Sequence, residues 1–85
     1  MNPDFKLSRH DIVEALQRID ELCRSSGVIV ELSIYGGAAM VLAFDAREAT
    51  RDLDAVVRGS PQRLREISAT VAQERGWPAD WLNDG

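Results

Sequence analysis

Leu32-Ser33-Ile34-Tyr35-Gly36-Gly37-Ala38-Ala39-Met40, followed fifteen residues after Gly37 by Asp52-Leu53-Asp54-Ala55-Val56-Val57, is the stretch on which the reading of this chain turns. Val28 to Tyr35 is rich in β-branched residues, which favour a strand, and two consecutive glycines end it abruptly. The run from Ala38 to Phe44 is almost wholly apolar and rich in Ala, so it reads as a short buried helix with the glycines at its N-terminus. Asp52 to Val57 reads as a second strand that opens on acidic residues. Residues two apart on a strand point the same way, so Asp52 and Asp54 share one face while Leu53 enters the other.

Outward from this centre the elements follow local signals. Ser8 is a good N-cap with Asp11 as a short capping-box partner, and Ile12, Ala15, Leu16, Ile19, Leu22 and Cys23 recur at helical spacing, giving a helix from Arg9 to about Ser25 that Gly27 stops. Ser60-Pro61 is a cap followed by proline at the first helical position, and Leu64, Ile67 and Val71 mark a helix running to about Arg75, stopped by Gly76. The order is helix, strand, helix, strand, helix, an α/β (α+β) pattern. Trp77 to Gly85 carries two tryptophans and no complete element in this reading. Two strands are too few for a stable sheet, so the expectation is a single domain over residues 1–85 whose sheet is truncated at the C-terminus.

Composition narrows the classes. Eighty-five residues make at most one domain, and a chain of this size buries only about 60% of its unfolded surface. With 45% hydrophobic and 28% charged residues it is neither disordered nor collagenous. No apolar run approaches the roughly 20 residues of a membrane span, and Met1 to Arg9 lacks the apolar stretch of a signal peptide. The single Cys allows no internal disulfide, which together with the absent leader reads as cytoplasmic. A net charge of −4 argues against a broad basic face for a nucleic-acid duplex. It leaves room for a local basic site: all cations but Lys6 are Arg, and Arg47, Arg51 and Arg58 cluster around the acidic pair. Arg suits oriented phosphate contacts through its planar fork of donors, although a scattered Arg is more often a solvated surface residue.

The glycine pair and the acidic pair together point to chemistry. Two converging carboxylates repel one another unless a cation sits between them, and hard oxygen donors suit Mg²⁺, which takes one or two carboxylates and fills its shell with water and phosphate. Paired glycines let backbone approach an anion, and the free N–H groups of the following helix favour phosphate. An antiparallel second strand would bring the two halves to one edge of the sheet. Each half also has an ordinary reading, as solvated residues on an exposed edge or as a plain turn; their combination is the more specific signal.

Other motifs do not fit. Gly36, Gly37 and Met40 do not supply G-x-G-x-x-G, a P-loop needs Gly-Lys, and an EF-hand loop opening at Asp52 would meet Val56 and Val57 where it needs oxygen and glycine. His10, the sole histidine, reads as a surface residue of the first helical turn, and Cys23 as buried packing on the apolar helix face.

Leu32 to Met40 with Arg47-Glu48-Ala49-Thr50-Arg51-Asp52-Leu53-Asp54-Ala55-Val56 resembles the nucleotidyltransferase superfamily of the polymerase-β type, in particular the small bacterial branch near the abortive-infection AbiEii nucleotidyltransferase toxins. That superfamily pairs Gly-Gly or Gly-Ser at a helix start with Asp-x-Asp or Asp-x-Glu on the next strand. Gly36, Gly37, Thr50, Asp52 and Asp54 match; the branch's Arg two places before Thr falls on Glu48, with Arg47 one place earlier. The resemblance implies two Mg²⁺ ions on Asp52 and Asp54 as catalytic and metal residues. It implies a nucleoside triphosphate held by Gly36, Gly37, Thr50, Arg51 and Arg47, and transfer of a nucleoside monophosphate to a hydroxyl of RNA such as tRNA, of protein or of a small molecule. It also implies a third carboxylate from a later apolar strand. The later acids, Glu66, Glu74, Asp80 and Asp84, lie in no such strand, so the expectation is a chain inactive by itself, completed by further sequence, an antitoxin or a second subunit, or a non-catalytic nucleotide- or partner-binding remnant of the fold.

Overall fold

In the computed structural model, which describes residues 5–44 and 49–84, Ser8 caps α1 (Arg9–Ser26) through the expected box. Its hydroxyl accepts from the Asp11 N–H at 3.1 Å, and the Asp11 carboxylate accepts from the Ser8 N–H at 2.9 Å. Gly27 ends the helix in the left-handed region, φ 67°, and the Val28 N–H turns back to the Cys23 carbonyl at 2.9 Å. Because Val28 belongs to that cap, β1 (Val30–Tyr35) starts two residues later than its β-branched composition suggests. Helix α2 (Gly37–Phe44) follows directly.

Strand β2 (Leu53–Gly59) begins at Leu53, with Asp52 in the bend before it. The cause is local: Thr50 is paired with Leu7 in an antiparallel bridge, and its hydroxyl donates to the Asp52 carbonyl at 3.0 Å, so the chain turns before it can extend. Helix α3 (Pro61–Arg75) starts at the Ser60 cap and ends at Gly76.

The expectation of a tail without an element is corrected. Leu82–Asn83 forms β3, parallel to β2, with Leu53 opposite Leu82 and Asp54 opposite Asn83. The sheet is therefore three-stranded and mixed, in the order β1-β2-β3, with β1 and β2 antiparallel. What makes so short a strand possible is its anchor. Trp81 is 1% exposed, its indole N–H donates to the Ser68 carbonyl at 2.8 Å, and its own carbonyl accepts from Leu53 N–H at 2.7 Å. Trp77 meets Phe5 and Trp81 edge-on, at centroid distances of 5.8 and 5.2 Å.

Among the described residues only one face of the sheet is covered. Leu32 opposite Val57 and Ile34 opposite Ala55 join Leu53 in a core with Ile12, Ile19, Val41, Leu64 and Val71 from the helices. The alternate residues, Glu31, Ser33 and Tyr35 on β1 and Val56 and Arg58 on β2, are exposed on the other face, with Asp54 half-buried among their row. The molecule is thus a small α+β domain of three helices and a three-stranded sheet, and among the described residues no helix is long and apolar enough to cross a membrane.

Candidate functional site

Pairing of β1 with β2 sets Tyr35 opposite Asp54, so the end of the first strand lies beside the start of the second. The next residue, Gly36, has φ 71°, the left-handed conformation that glycine adopts without a Cβ penalty, and this turns the chain from β1 into α2. A Cβ on Gly36 would stand 3.4 Å from Asp54 Oδ2, and one on Gly37 would stand 3.0 Å from Thr50 Oγ1. Asp54 and Thr50 therefore lie against the two glycines at the N-terminus of α2. Strand pairing thereby joins the glycine half and the acidic half of the pattern.

Asp52 sits in the bend between Thr50 and β2 and is exposed. Its carboxyl is nevertheless pushed above the ordinary aspartate value, first by partial loss of water around it and then by the negative charges of Asp54 and Asp80. Asp52 and Asp54 thus sense one another, although Asp52 lies in the bend before β2 and not on the strand face that the sequence reading gives it. Asp80, placed in an elementless tail by the sequence pattern, is near enough to act on the same carboxyl.

Asn83, opposite Asp54 on β3, donates its side-chain amide to Asp54 Oδ1 at 3.2 Å. Sequence reasoning missed both Asp80 and Asn83. The signal that could have found them is the pair of terminal tryptophans, since a buried Trp81 carries its polar neighbours to fixed places.

Of the remaining expected residues, Arg51 is exposed, and no hydrogen bond or ion pair among the described residues ties it to either carboxylate. Arg58 lies four residues along β2 from Asp54, about 13 Å at the rise of a strand, and is opposite Glu31. It is not part of the site. Arg47 lies outside the described residues. Asp84 is paired with Arg65 at 3.0 Å. Among the described residues no group of three or more His, Cys, Asp or Glu side chains is arranged to hold a metal ion. A cavity of about 390 Å³ lies elsewhere, between α1 and the opposite end of β1, lined by Leu16, Ile19, Cys23, Val28 and Ile29 among others.

Comparison of the chain with models of protein families, with curated proteins and with solved structures gives no match in any of the three.

Whether this site suits a divalent cation is decided by its donors. Two carboxylates with a hydroxyl nearby are hard oxygen ligands, and Mg²⁺ commonly binds one or two carboxylates while keeping several waters. Asp52 and Asp54 are donors of that chemical kind. They do not make a closed cage of protein ligands.

Proposed function

We propose that this chain is a nucleotidyltransferase-type domain that binds a nucleoside triphosphate with Mg²⁺ between the start of α2 and the start of β2. The observation that carries the reading is the approach of Asp54 to Gly36, 3.4 Å from carboxylate oxygen to the place of a glycine Cβ, which brings an acidic pair and a glycine-led helix start to one edge of the sheet.

In this reading Asp52 and Asp54 hold the cation, and Gly36 and Gly37 leave room for a phosphate against backbone, near the N–H groups that α2 leaves without intrahelical partners. A Mg²⁺ ion held by Asp52 and Asp54 would supply polarisation of the α-phosphate and neutralisation of the departing pyrophosphate. Thr50, by its hydrogen bond to the Asp52 carbonyl, holds the bend that presents Asp52. Arg51 and Arg47 are the cations nearest in sequence for the leaving phosphates. The acceptor is a hydroxyl of RNA, protein or a small molecule, and the setting is the cytoplasm, where nucleoside triphosphates and Mg²⁺ are abundant. An antiphage or toxin–antitoxin role, with an antitoxin or second subunit as partner, follows from the same resemblance.

A second reading is favoured by one specific observation, the absence of a three-carboxylate group among the described residues. It is a nucleotide- or partner-binding domain without transfer chemistry. Incubating the chain with each labelled nucleoside triphosphate, Mg²⁺ and cell extract separates the two. Transfer of label to RNA or protein, abolished by Asp52→Asn and Asp54→Asn, is the result expected where the extract supplies the partner that completes the site, and the chain without extract is expected to transfer none. Mg²⁺-dependent nucleotide binding without transfer selects the second reading, and no nucleotide binding at all overturns the first reading and the nucleotide-binding form of the second.

A further inference from the structure

We propose that Asn83 is a positioning residue for Asp54: its amide, brought alongside by β3, fixes the Asp54 carboxylate in the orientation that a divalent cation meets. The inference deepens the proposed function and rests on the reading of Asp52 and Asp54 as cation ligands.

A half-buried carboxylate needs partners for its oxygens. Asp54 Oδ1 has one, the Asn83 Nδ2 amide at 3.2 Å, while Oδ2 faces the space that a Cβ on Gly36 would fill, 3.4 Å from that point. A carboxylate free to rotate about χ2 would spread its lone pairs over a range of directions. One held between a glycine on one strand end and an amide on the other neighbour presents a restricted set. Groups that hydrogen-bond a ligating carboxylate or imidazole in this way commonly carry about 10–100-fold in metal affinity although they never touch the metal.

The placement of Asn83 sets its amide beside Asp54. It is exposed, so neither core packing nor burial explains its side chain. It belongs to a strand of two residues, and the register of that strand sets it directly opposite Asp54. The strand in turn is held by Trp81, whose burial and hydrogen bonds to Ser68 and Leu53 lock the height at which Asn83 arrives. An amide suits the position better than a charged group. It donates to the carboxylate without cancelling the negative charge that attracts the cation, as a Lys or Arg there would.

The test uses the full chain and Mn²⁺ alone, followed by electron paramagnetic resonance of the free ion and by water-proton relaxation of the bound ion. Asn83→Ala is expected to weaken Mn²⁺ binding about tenfold with the thermal midpoint unchanged, and Asn83→Gln, which keeps the amide, to recover most of the affinity. Combined with Asp54→Asn, Asn83→Ala should cost nothing further, because the group it positions is gone. Equal Mn²⁺ affinity in wild type and Asn83→Ala overturns the inference and leaves the cation site standing. So does an Asn83→Ala loss that Gln does not repair and that persists undiminished in the Asp54→Asn background. Failure of the wild-type chain to bind Mn²⁺ removes the cation reading itself, and this inference with it.

Discussion

Asp52 is exposed and yet harder to ionise than an ordinary aspartate, because it has lost part of its water and faces Asp54 and Asp80. A carboxyl whose folded pKa lies above its unfolded value of 3.8 favours the protonated folded form, so its ionisation costs stability once pH rises through the folded pKa, and the cost vanishes below 3.8. Asp52→Asn should therefore raise the thermal midpoint slightly at neutral pH while abolishing Mg²⁺-dependent nucleotide binding, as followed by scanning calorimetry and titration calorimetry. A lower midpoint would mean that Asp52 supports the fold instead. Gly37 gives a second test at this scale. A Cβ there lies 3.0 Å from Thr50 Oγ1, tighter than ordinary contact, so Gly37→Ala must push Thr50 aside and disturb the bend before Asp52. Urea denaturation should show a loss of about 1–2 kcal/mol for Gly37→Ala, with part of it recovered when Thr50→Ala removes the opposing hydroxyl.

At the scale of elements, α1 and α3 are joined across the surface by Arg18, which donates to both Glu74 oxygens at 3.0 and 2.9 Å, and by Arg75 with Glu14 at 3.4 Å. The hydrogen bond and charge of Arg18 hold the Glu74 carboxyl below its usual value of 4.5. A depressed pKa of this kind contributes stability that is present above 4.5 and is lost as pH falls through the folded value. Glu74→Gln should thus lower the urea midpoint at pH 7 and lower it progressively less as pH falls below 4.5; an equal loss throughout would assign the effect to packing. The helices were legible in the sequence because their signals are local. Ser8 with Asp11, Ser60 with Pro61, and Gly27 and Gly76 each act within a turn of where they stand. The antiparallel neighbours β1 and β2 were legible as apolar runs. By contrast, β3 was not, since two residues carry no periodicity and their pairing depends on Trp81 reaching a core built by distant parts of the chain. The same distinction divides the site. Gly36, Gly37, Asp52 and Asp54 form a spaced pattern that can be read along the chain, whereas Asp80 and Asn83 are brought near only by tertiary packing.

For the whole molecule, size sets how much any one side chain matters. At about 0.05–0.15 kcal/mol per residue a domain of this length has only a few kcal/mol to some ten kcal/mol in hand. Trp81 is the largest of its fully buried side chains, and truncating a buried Trp costs about 3–5 kcal/mol. Trp81→Ala should therefore lower the thermal midpoint severely or leave the chain unfolded at 37 °C, seen as lost ellipticity, while the conservative Trp81→Phe keeps most of the packing and loses only the bond to Ser68. The tryptophan pair also gives the protein an optical property of its own. Trp77 and Trp81 meet edge-on at 5.2 Å, Arg75 lies over the Trp77 ring, and Trp81 stands two residues before the amide that contacts Asp54. Their fluorescence emission is thus a built-in gauge read without any label. A shift on unfolding would report core closure, and a smaller change on adding cation or nucleotide would report occupation of the site proposed beside it.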